Sequence, residues 1–321
     1  MIFLPRVQLA HLPTPVEAAP RLTAYLDGPS ILVKRDDQTG LALGGNKTRK
    51  LELLIAEAQE QQARTIITAG AIQSNHCRQT AAAAVKFGFE CTLVLTGEQP
   101  EKPSGNLFLD HLLGVNIVWT EGQPRELILQ STYAELLGQG KEPYIIPYGG
   151  SNPTGVIAYA LAMQELIHQN IHADWIVVAS SSGGTQAGMV LGARLFGFQG
   201  SILGISIDEP ASILKDRVAN LANASALELG VTATFSPEEI IVNADYLGEG
   251  YGKMGALEKE AIRTFARLEG LFLDPVYTGR AAGGMLDLMK KGYFPSNSSV
   301  LFWHTGGSPA LFAQAYQDNL S

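Results

Sequence analysis

Lys47 is the residue whose type and surroundings most clearly suggest chemistry. It follows a stretch too rich in glycine for regular structure, Gly44-Gly45-Asn46, and precedes an amphipathic run. Apolar residues of that run recur at i, i+3, i+4 and i+7, which predicts a helix whose apolar face contains Leu51, Leu54, Ile55 and Ala58. Lys47 then lies in the first turn, where unpaired N–H groups and the helix dipole lower the pKa of an amine. A partly neutral amine attacks aldehydes, whereas the ordinary alternative is a solvated surface lysine.

A second candidate is the loop Ser182-Gly183-Gly184-Thr185, which lies between a strand-like run at 175–179 and a helical run that includes Met189. Its glycines allow the backbone to approach an anion, so the loop is a candidate phosphate cradle, with a tight turn as the alternative. It matches no nucleotide motif. Asn46 replaces the glycine that precedes lysine in a Walker A loop, and no dinucleotide fingerprint follows a strand.

Three polar residues, Gln73, Ser74 and Asn75, follow the strand-like run 65–70 and precede an alanine-rich helix. Ser74 or Asn75 is suited to cap that helix. The same side chains stand at the carboxyl end of a strand, where open α/β sheets bind ligands. We expect no metal at the neighbouring His76-Cys77 pair, because no second Cys/His pair lies at ligand spacing.

The C-terminal part of the chain adds Thr305, which follows the apolar strand-like run 300–304 and should reach the same edge of the sheet. The stretch 274–279 has a similar strand-end or loop character. A lysine able to form an imine, a phosphate loop and polar strand ends together predict a pyridoxal phosphate site.

The stretches that carry this chemistry also resemble a known family, the fold-type II pyridoxal phosphate enzymes. The resemblance is to the branch of 1-aminocyclopropane-1-carboxylate deaminases and D-cysteine desulfhydrases, and it rests on residues 33–37, 44–52, 73–78, 182–188, 274–279 and 304–307. It implies a two-lobe α/β fold with parallel sheets flanked by helices. Residues 52–162 would form the smaller lobe, and residues 1–51 with 163–321 the larger, cofactor-binding lobe.

The resemblance also implies roles for individual residues. Lys47 resembles the Schiff-base lysine, Asn75 the residue that hydrogen-bonds the ring hydroxyl group, and Ser74 the catalytic serine that contacts the substrate carboxylate. Tyr277 resembles an active-site tyrosine, and Tyr251 is the candidate for a second one. The same resemblance implies phosphate binding by Ser182, Gly183, Gly184 and Thr185, a further cofactor contact at Thr305, and substrate contacts at Gln73, Ser74, Asn75 and Thr278.

Two departures from the deaminase pattern indicate the substrate. Thr278 and Thr305 stand where deaminases that open the cyclopropane ring carry Glu and Leu, and this pair resembles the D-cysteine desulfhydrases. A neutral hydroxyl near the pyridine nitrogen makes a weaker electron sink than a carboxylate, which suffices for β-elimination of a good leaving group. The expected reaction converts D-cysteine to pyruvate, hydrogen sulfide and ammonia.

Three other functions stay open. An L-cysteate sulfo-lyase would need a cation for the sulfonate, and Arg78 or Arg280 could supply it, although such residues more often have structural roles. A 1-aminocyclopropane-1-carboxylate deaminase is the second alternative. The third is a non-catalytic amino-acid-binding protein, against which the intact Lys47 argues.

Composition indicates a soluble enzyme. The chain has 321 residues, 46% of them hydrophobic and 17% charged, which is enough for a large core and two lobes. The net charge of −8 and the lack of a basic run argue against nucleic acid as a partner. Cys77 and Cys91 form no C-x-x-C pair, and Arg6 interrupts the apolar start, so we expect a cytoplasmic protein with no signal peptide and no membrane span. We also expect a homodimer.

Overall fold

The computed structural model describes residues 4–320, which fold into alternating strands and helices. The strands are β1 Val16–Ala18, β2 Ser30–Arg35, β3 Thr65–Ala71, β4 Glu90–Thr96, β5 Asn116–Trp119, β6 Pro143–Ile145, β7 Trp175–Ser180, β8 Ser201–Ser206, β9 Ile241–Asn243 and β10 Ser299–His304. The helices are α1 Pro20–Leu26, α2 Lys47–Glu60, α3 Asn75–Lys86, α4 Gly105–Leu112, α5 Arg125–Gly138, α6 Pro153–His168, α7 Gly184–Phe196, α8 Ala211–Glu228, α9 Ala256–Glu269, α10 Thr278–Lys290 and α11 Gln314–Leu320.

The larger sheet has six strands in the order β1-β2-β10-β7-β8-β9. All neighbours pair in parallel except β1, which runs antiparallel to β2 at the edge. Along β7, Val177 joins a core with α9 and α10, whereas Ile176 and Val178 join a core with α6 and α7. This period-two alternation of buried apolar residues covers both faces of the sheet with helices.

The smaller sheet has four parallel strands in the order β5-β4-β3-β6. Ile66 and Leu93 pack against α2 and α3 on one face, while Ile67 and Val94 pack against α5 on the other. Each fully buried leucine or isoleucine contributes about 1.5–3 kcal/mol relative to exposure, so these layers fix the helices firmly to the strands.

The predicted α/β architecture with parallel sheets and flanking helices is confirmed. The antiparallel edge strand β1 was not predicted. The strands of the smaller sheet all lie within 52–162, and those of the larger sheet all lie outside it, while α2 and α6 cross the two ends of that range. The lobe boundaries themselves stay a prediction. No helix within residues 4–320 combines the length and the apolar character needed to cross a bilayer.

Candidate active site

One cavity lies at the carboxyl ends of β3, β7 and β10 and collects most of the predicted site residues. Predicted residues in its wall are Lys47, Ser74, Asn75, Ser182, Gly183, Thr185, Tyr277 and Thr305. The sequence did not indicate the others, which include Asn46, His76, Tyr148, Gly149, Ser180 and Ser181. Gln73, Gly184, Tyr251 and Thr278 are not part of the wall.

A tight turn places Lys47 at the start of α2, as predicted. Gly44 has a φ of 68°, and a Cβ atom at this position would lie 2.0 Å from the backbone oxygen of Asp37. No residue with a side chain fits there without moving the backbone. The backbone N–H of Asn46 donates to the carbonyl oxygen of Thr305 at 3.0 Å, which ties the start of α2 to the end of β10.

The pKa of Lys47 is lowered from 10.5 to about 8 because burial disfavours the ammonium form, while the Asp274 carboxylate acts in the opposite direction. Its Nζ atom lies 3.1 Å from Oδ1 of Asn46. The predicted direction is correct, but burial is its principal cause. With such a pKa about a tenth of the amine is neutral at pH 7, which is enough for nucleophilic attack.

The loop before α7 forms the second wall of the cavity. Gly183 has a φ of 81°, and the first N–H groups of α7 lack acceptors inside the helix. A Cβ atom on Gly184 would lie 2.4 Å from Oγ of Ser151 and 2.9 Å from Nζ of Lys50. These two side chains approach Gly184 so closely that a larger residue would displace them. The sequence did not reveal this reason for the glycine.

Lys50 is a buried lysine beside this loop. It is 1% exposed, and its Nζ donates to the carbonyl oxygen of Gly149 at 3.0 Å and to Oγ of Ser151 at 3.3 Å. Within residues 4–320 it has no carboxylate at ion-pair distance, and burial with the nearby Lys47 lowers its pKa well below 10.5. An anion bound here would favour the ammonium form of Lys50 and would also meet the N–H groups at the start of α7.

The start of α3 supplies Ser74 and Asn75. Ser74 is the N-cap, and its Oγ accepts the N–H of Cys77 at 3.1 Å, so its hydroxyl hydrogen is free for the cavity. The amide of Asn75 donates to Oδ2 of Asp274 at 3.2 Å and accepts from Nη1 of Arg78 at 3.1 Å. Ser74 therefore caps α3 and also lines the cavity, with Asn75 beside it.

Two predicted substrate contacts are not brought to the cavity. The Gln73 amide donates to the carbonyl oxygen of Ser104 at 2.9 Å and accepts the N–H of Asn106 at 2.8 Å. Thr278 is fully buried, and its Oγ1 accepts the N–H of Asp274 at 2.7 Å. Both side chains shape the surrounding loops because neighbouring backbone groups use their polar atoms.

The two predicted tyrosines form a pair. Their hydroxyl oxygens lie 2.6 Å apart, and only Tyr277 reaches the cavity wall, with Tyr251 behind it. Burial raises the pKa of each phenol well above 10, so both stay protonated near neutral pH. The backbone N–H of Tyr277 donates to Oδ1 of Asp274 at 2.7 Å, which fixes the start of α10.

Comparison with known proteins defines the class. The family description "Pyridoxal-phosphate dependent enzyme" matches residues 7–306. The chain therefore belongs to the pyridoxal-phosphate dependent enzymes. It is 41% identical, over 96% of both chains, to a D-cysteine desulfhydrase of Yersinia enterocolitica.

Solved structures agree with this class. An ACC deaminase homologue shares 37% identity with a TM-score of 0.90, over 99% of this chain and 95% of that one. A fungal L-serine ammonia-lyase from Rhizomucor miehei superimposes with a TM-score of 0.68 at 17% identity, over 98% of each chain, and shows the fold alone.

The cavity residues fit pyridoxal phosphate. Lys47 offers an amine to the aldehyde, and Lys50 with the N-terminus of α7 offers a site for the phosphate. Two buried polar atoms in the wall, Oγ of Ser180 and Nδ1 of His76, have no hydrogen-bond partner within residues 4–320 and are available to a ligand. No cluster that could hold a metal ion exists among the same described residues.

Proposed function

We propose that this protein converts D-cysteine and water to pyruvate, hydrogen sulfide and ammonia. The observation that carries the proposal is that Lys47, with a pKa of about 8, and the loop 182–185, the candidate phosphate cradle, meet in one cavity. The substrate is supported by the 41% identity to a D-cysteine desulfhydrase.

The reaction needs a base, a sink for electrons and a path for the leaving sulfur. Bound pyridoxal phosphate supplies the sink for the charge left on Cα. The neutral amine of Lys47 accepts the Cα proton, and the C–S bond at Cβ breaks with its electrons on sulfur, which leaves as hydrosulfide. Free 2-aminoacrylate then reacts with water and yields pyruvate and ammonia.

The surrounding side chains position the reactants. We assign the substrate carboxylate to the hydroxyl of Ser74 and the N–H groups at the start of α3. Asn75 is assigned to the ring hydroxyl group, because Asp274 and Arg78 hold its amide in one orientation. Tyr277 stays protonated and is assigned as hydrogen-bond donor to the leaving sulfur.

Thr305 is assigned to the cofactor ring as a neutral partner, because its side chain lines the cavity. Thr278 is fully buried and bonded to Asp274, so any influence it has on the ring passes through that carboxylate. The choice between elimination and ring opening therefore depends on Thr305 more directly than on Thr278.

The L-cysteate alternative loses the residues that suggested it. Arg78 donates to the carbonyl oxygen of Gly44 at 2.8 Å and to Oδ1 of Asn106 at 2.6 Å. Arg280 is 1% exposed and bonds Oε1 of Glu258 at 2.6 Å. Neither arginine lines the cavity, so neither guanidinium is placed to bind a sulfonate there. Ring opening of 1-aminocyclopropane-1-carboxylate is the second candidate, since an ACC deaminase homologue shares this fold at 37% identity.

A steady-state screen tests the proposal. The holoenzyme is given D-cysteine, L-cysteine, L-cysteate, D-serine or 1-aminocyclopropane-1-carboxylate, and sulfide, sulfite, pyruvate and 2-oxobutanoate are measured. We expect equimolar sulfide and pyruvate from D-cysteine at the highest kcat/KM. Efficient release of 2-oxobutanoate without activity on D-cysteine would replace the proposal with ring opening.

We further propose a cytoplasmic homodimer. The support for the compartment is the pair of buried free thiols, Cys77 and Cys91, in a chain without disulfides among its described residues. Light scattering after gel filtration should give twice the chain mass of 34.4 kDa. A single-chain mass at working concentration would contradict the dimer.

A further inference from the structure

A third tyrosine, Tyr148, reaches the cavity from the side of the smaller sheet. It lies just beyond Ile145, the last residue of β6, and lines the cavity wall together with Lys47 and Tyr277. Burial is the main reason why the pKa values of Tyr251 and Tyr277 are raised. The phenol of Tyr148 is close enough to raise both pKa values further. Three phenols from three separate segments therefore meet beside the reacting centre.

Arg125 holds this third tyrosine from behind. The guanidinium carbon lies 4.2 Å from the centroid of the Tyr148 ring, a cation–π geometry. Within residues 4–320 the guanidinium forms no hydrogen bond or ion pair, so the ring is its partner. Arg125 is the first residue of α5, which packs on the smaller sheet through Leu129 and Leu136. The cation is thus anchored to a rigid element.

Tyr251 is fixed from the opposite side. Its loop is held by Arg280, which donates to the carbonyl oxygens of Gly250 at 3.1 Å and Lys253 at 2.8 Å. Tyr316 donates to the carbonyl oxygen of Gly252 at 2.9 Å. Tyr148, which comes after β6 of the smaller sheet, lies close enough to act on the Tyr251 hydroxyl. The tyrosine pair is therefore held between two anchors, one on each side.

We propose that Tyr148 is a positioning residue for the Tyr251–Tyr277 pair and that Arg125, stacked on its ring, keeps it in place. This inference deepens the proposed function and rests on Tyr277 as the donor to the leaving group. Loss of the Tyr148 hydroxyl loosens the loop of Tyr251 and changes the proton affinity of Tyr277. Loss of the Arg125 cation has the same effect through the ring.

The pH dependence has a definite sign. Tyr148 raises the pKa of Tyr251 and of Tyr277. Tyr148→Phe therefore lowers both pKa values, and the alkaline limb of kcat moves to lower pH. Other groups facing the pair stay the same in this variant: Asp208 at Tyr251, Asp274 at Tyr277, and Lys47 in the cavity wall. A shift of at least about half a pH unit is expected, with kcat reduced about tenfold, the usual scale for outer partners of a catalytic group.

The test uses the holoenzyme of four variants: Tyr148→Phe, Arg125→Ala, Arg125→Lys and their control Tyr25→Phe, which alters a tyrosine 55% exposed on α1. Tyr148→Phe and Arg125→Ala should lower kcat and shift its alkaline limb, with cofactor absorbance and melting temperature unchanged. Arg125→Lys should recover most of the activity because it restores a cation over the ring. An unshifted limb with wild-type kcat in Tyr148→Phe overturns the inference.

Hydrogen exchange of residues 247–255 provides a readout that needs no turnover. Exchange should be at least about threefold faster in Tyr148→Phe and Arg125→Ala than in wild type and Tyr25→Phe, because local opening becomes easier. Unchanged exchange overturns the positioning role. A wild-type protein inactive on every amino acid would refute the proposed function, and this exchange measurement would still decide the role of Tyr148.

Discussion

Two lysines, one helical turn apart, are assigned different roles in the candidate site. Lys47 has a pKa lowered to about 8 and stands in the cavity wall, whereas Lys50 is buried against the phosphate loop. Neither has a carboxylate at ion-pair distance in the part of the chain that the structure describes. In the proposed function, the cofactor aldehyde would consume the amine of Lys47, and the cofactor phosphate would offset a charge on Lys50.

The first residue-scale prediction concerns pH. Only the neutral amine of Lys47 attacks the aldehyde, so the rate of cofactor attachment to the apoprotein should rise with pH and level off above about 8. Stopped-flow absorbance with pyridoxal phosphate from pH 6.5 to 10 measures this rate. A rate that keeps rising to pH 10 would show an ordinary lysine.

The second residue-scale prediction separates binding from stability. Lys50→Met removes the cation next to Ser151 and Ser182 and should weaken cofactor affinity at least about tenfold, the value of a hydrogen bond to a charged group. The melting temperature of the apoprotein should change little, because removal of the buried polar amine offsets the lost bond to Gly149. Lys86→Met, on the exposed end of α3, is the control. Equal affinity in both variants would move the phosphate elsewhere.

Sequence reasoning selected Lys47 as the candidate from its neighbours and predicted that its pKa would be lowered. It missed Lys50, because a lysine in a helix normally reads as a solvated charge and its burial depends on Gly149 and Ser151, about a hundred residues away. Tyr148 was missed for the same reason, since Arg125 and Tyr251 belong to other segments of the chain. Asp274 bonds the nearby Tyr277 and Thr278, but its link to the cavity through Asn75 joins residues 199 positions apart.

At the scale of elements, the start of α2 is locked to the larger sheet by Asp36. This fully buried carboxylate accepts from Arg49 at 2.8 Å, from Tyr159 at 2.6 Å and from the indole of Trp303 at 2.8 Å. Arg49 lies two residues after Lys47. The network therefore transmits the position of β2 and β10 to the candidate catalytic lysine.

Asp36→Asn should destabilise the fold by about 3–5 kcal/mol, because it leaves a buried guanidinium with less compensation. Burial alone would raise the pKa of Asp36, but Arg49 lowers it below 3.8, so its stabilisation is present above pH 4 and is lost as the pH falls. Urea unfolding at pH 7 measures the effect. The exposed pair Glu90–Lys141 is the control, since Glu90→Gln should leave the urea midpoint almost unchanged.

A further element-scale prediction concerns the start of α10. Thr278→Glu would place a carboxylate in the buried space beside Asp274, so we expect a lower melting temperature instead of a gain in ring opening. Thr278→Ser keeps the hydroxyl and serves as the matched control. Stable Thr278→Glu protein that releases 2-oxobutanoate from 1-aminocyclopropane-1-carboxylate would show that Thr278 contacts the reacting centre.

The principal strands were predictable because their apolar runs end in glycine or polar residues, as in β3, β7 and β10. The three-residue strands β1 and β9 were not, since such short runs carry no period. Ser74 illustrates the overlap of signals: the same residue caps α3 and faces the cavity, so a local pattern could not separate the two roles.

On the scale of the whole molecule, the site is assembled from segments spread along the chain. Lys47, Ser74, Ser182, Tyr277 and Thr305 come from five separate stretches, and parallel strands bring their carboxyl ends together. This convergence was predictable from the alternation of strands and helices. The depth of the cavity was not predictable, and neither were the residues that support its wall from behind, because both depend on how the two sheets face each other.

The central claim is that Lys47 carries the cofactor and removes the Cα proton of D-cysteine. Its most direct test is the rate of pyruvate release from D-cysteine by wild type and Lys47→Ala, each reconstituted with pyridoxal phosphate, with Lys86→Ala as control. We predict that Lys47→Ala is at least about 100-fold slower, the lower end for a lost acid–base group, whereas Lys86→Ala equals wild type. Pyruvate release by Lys47→Ala at a rate close to wild type would contradict the account.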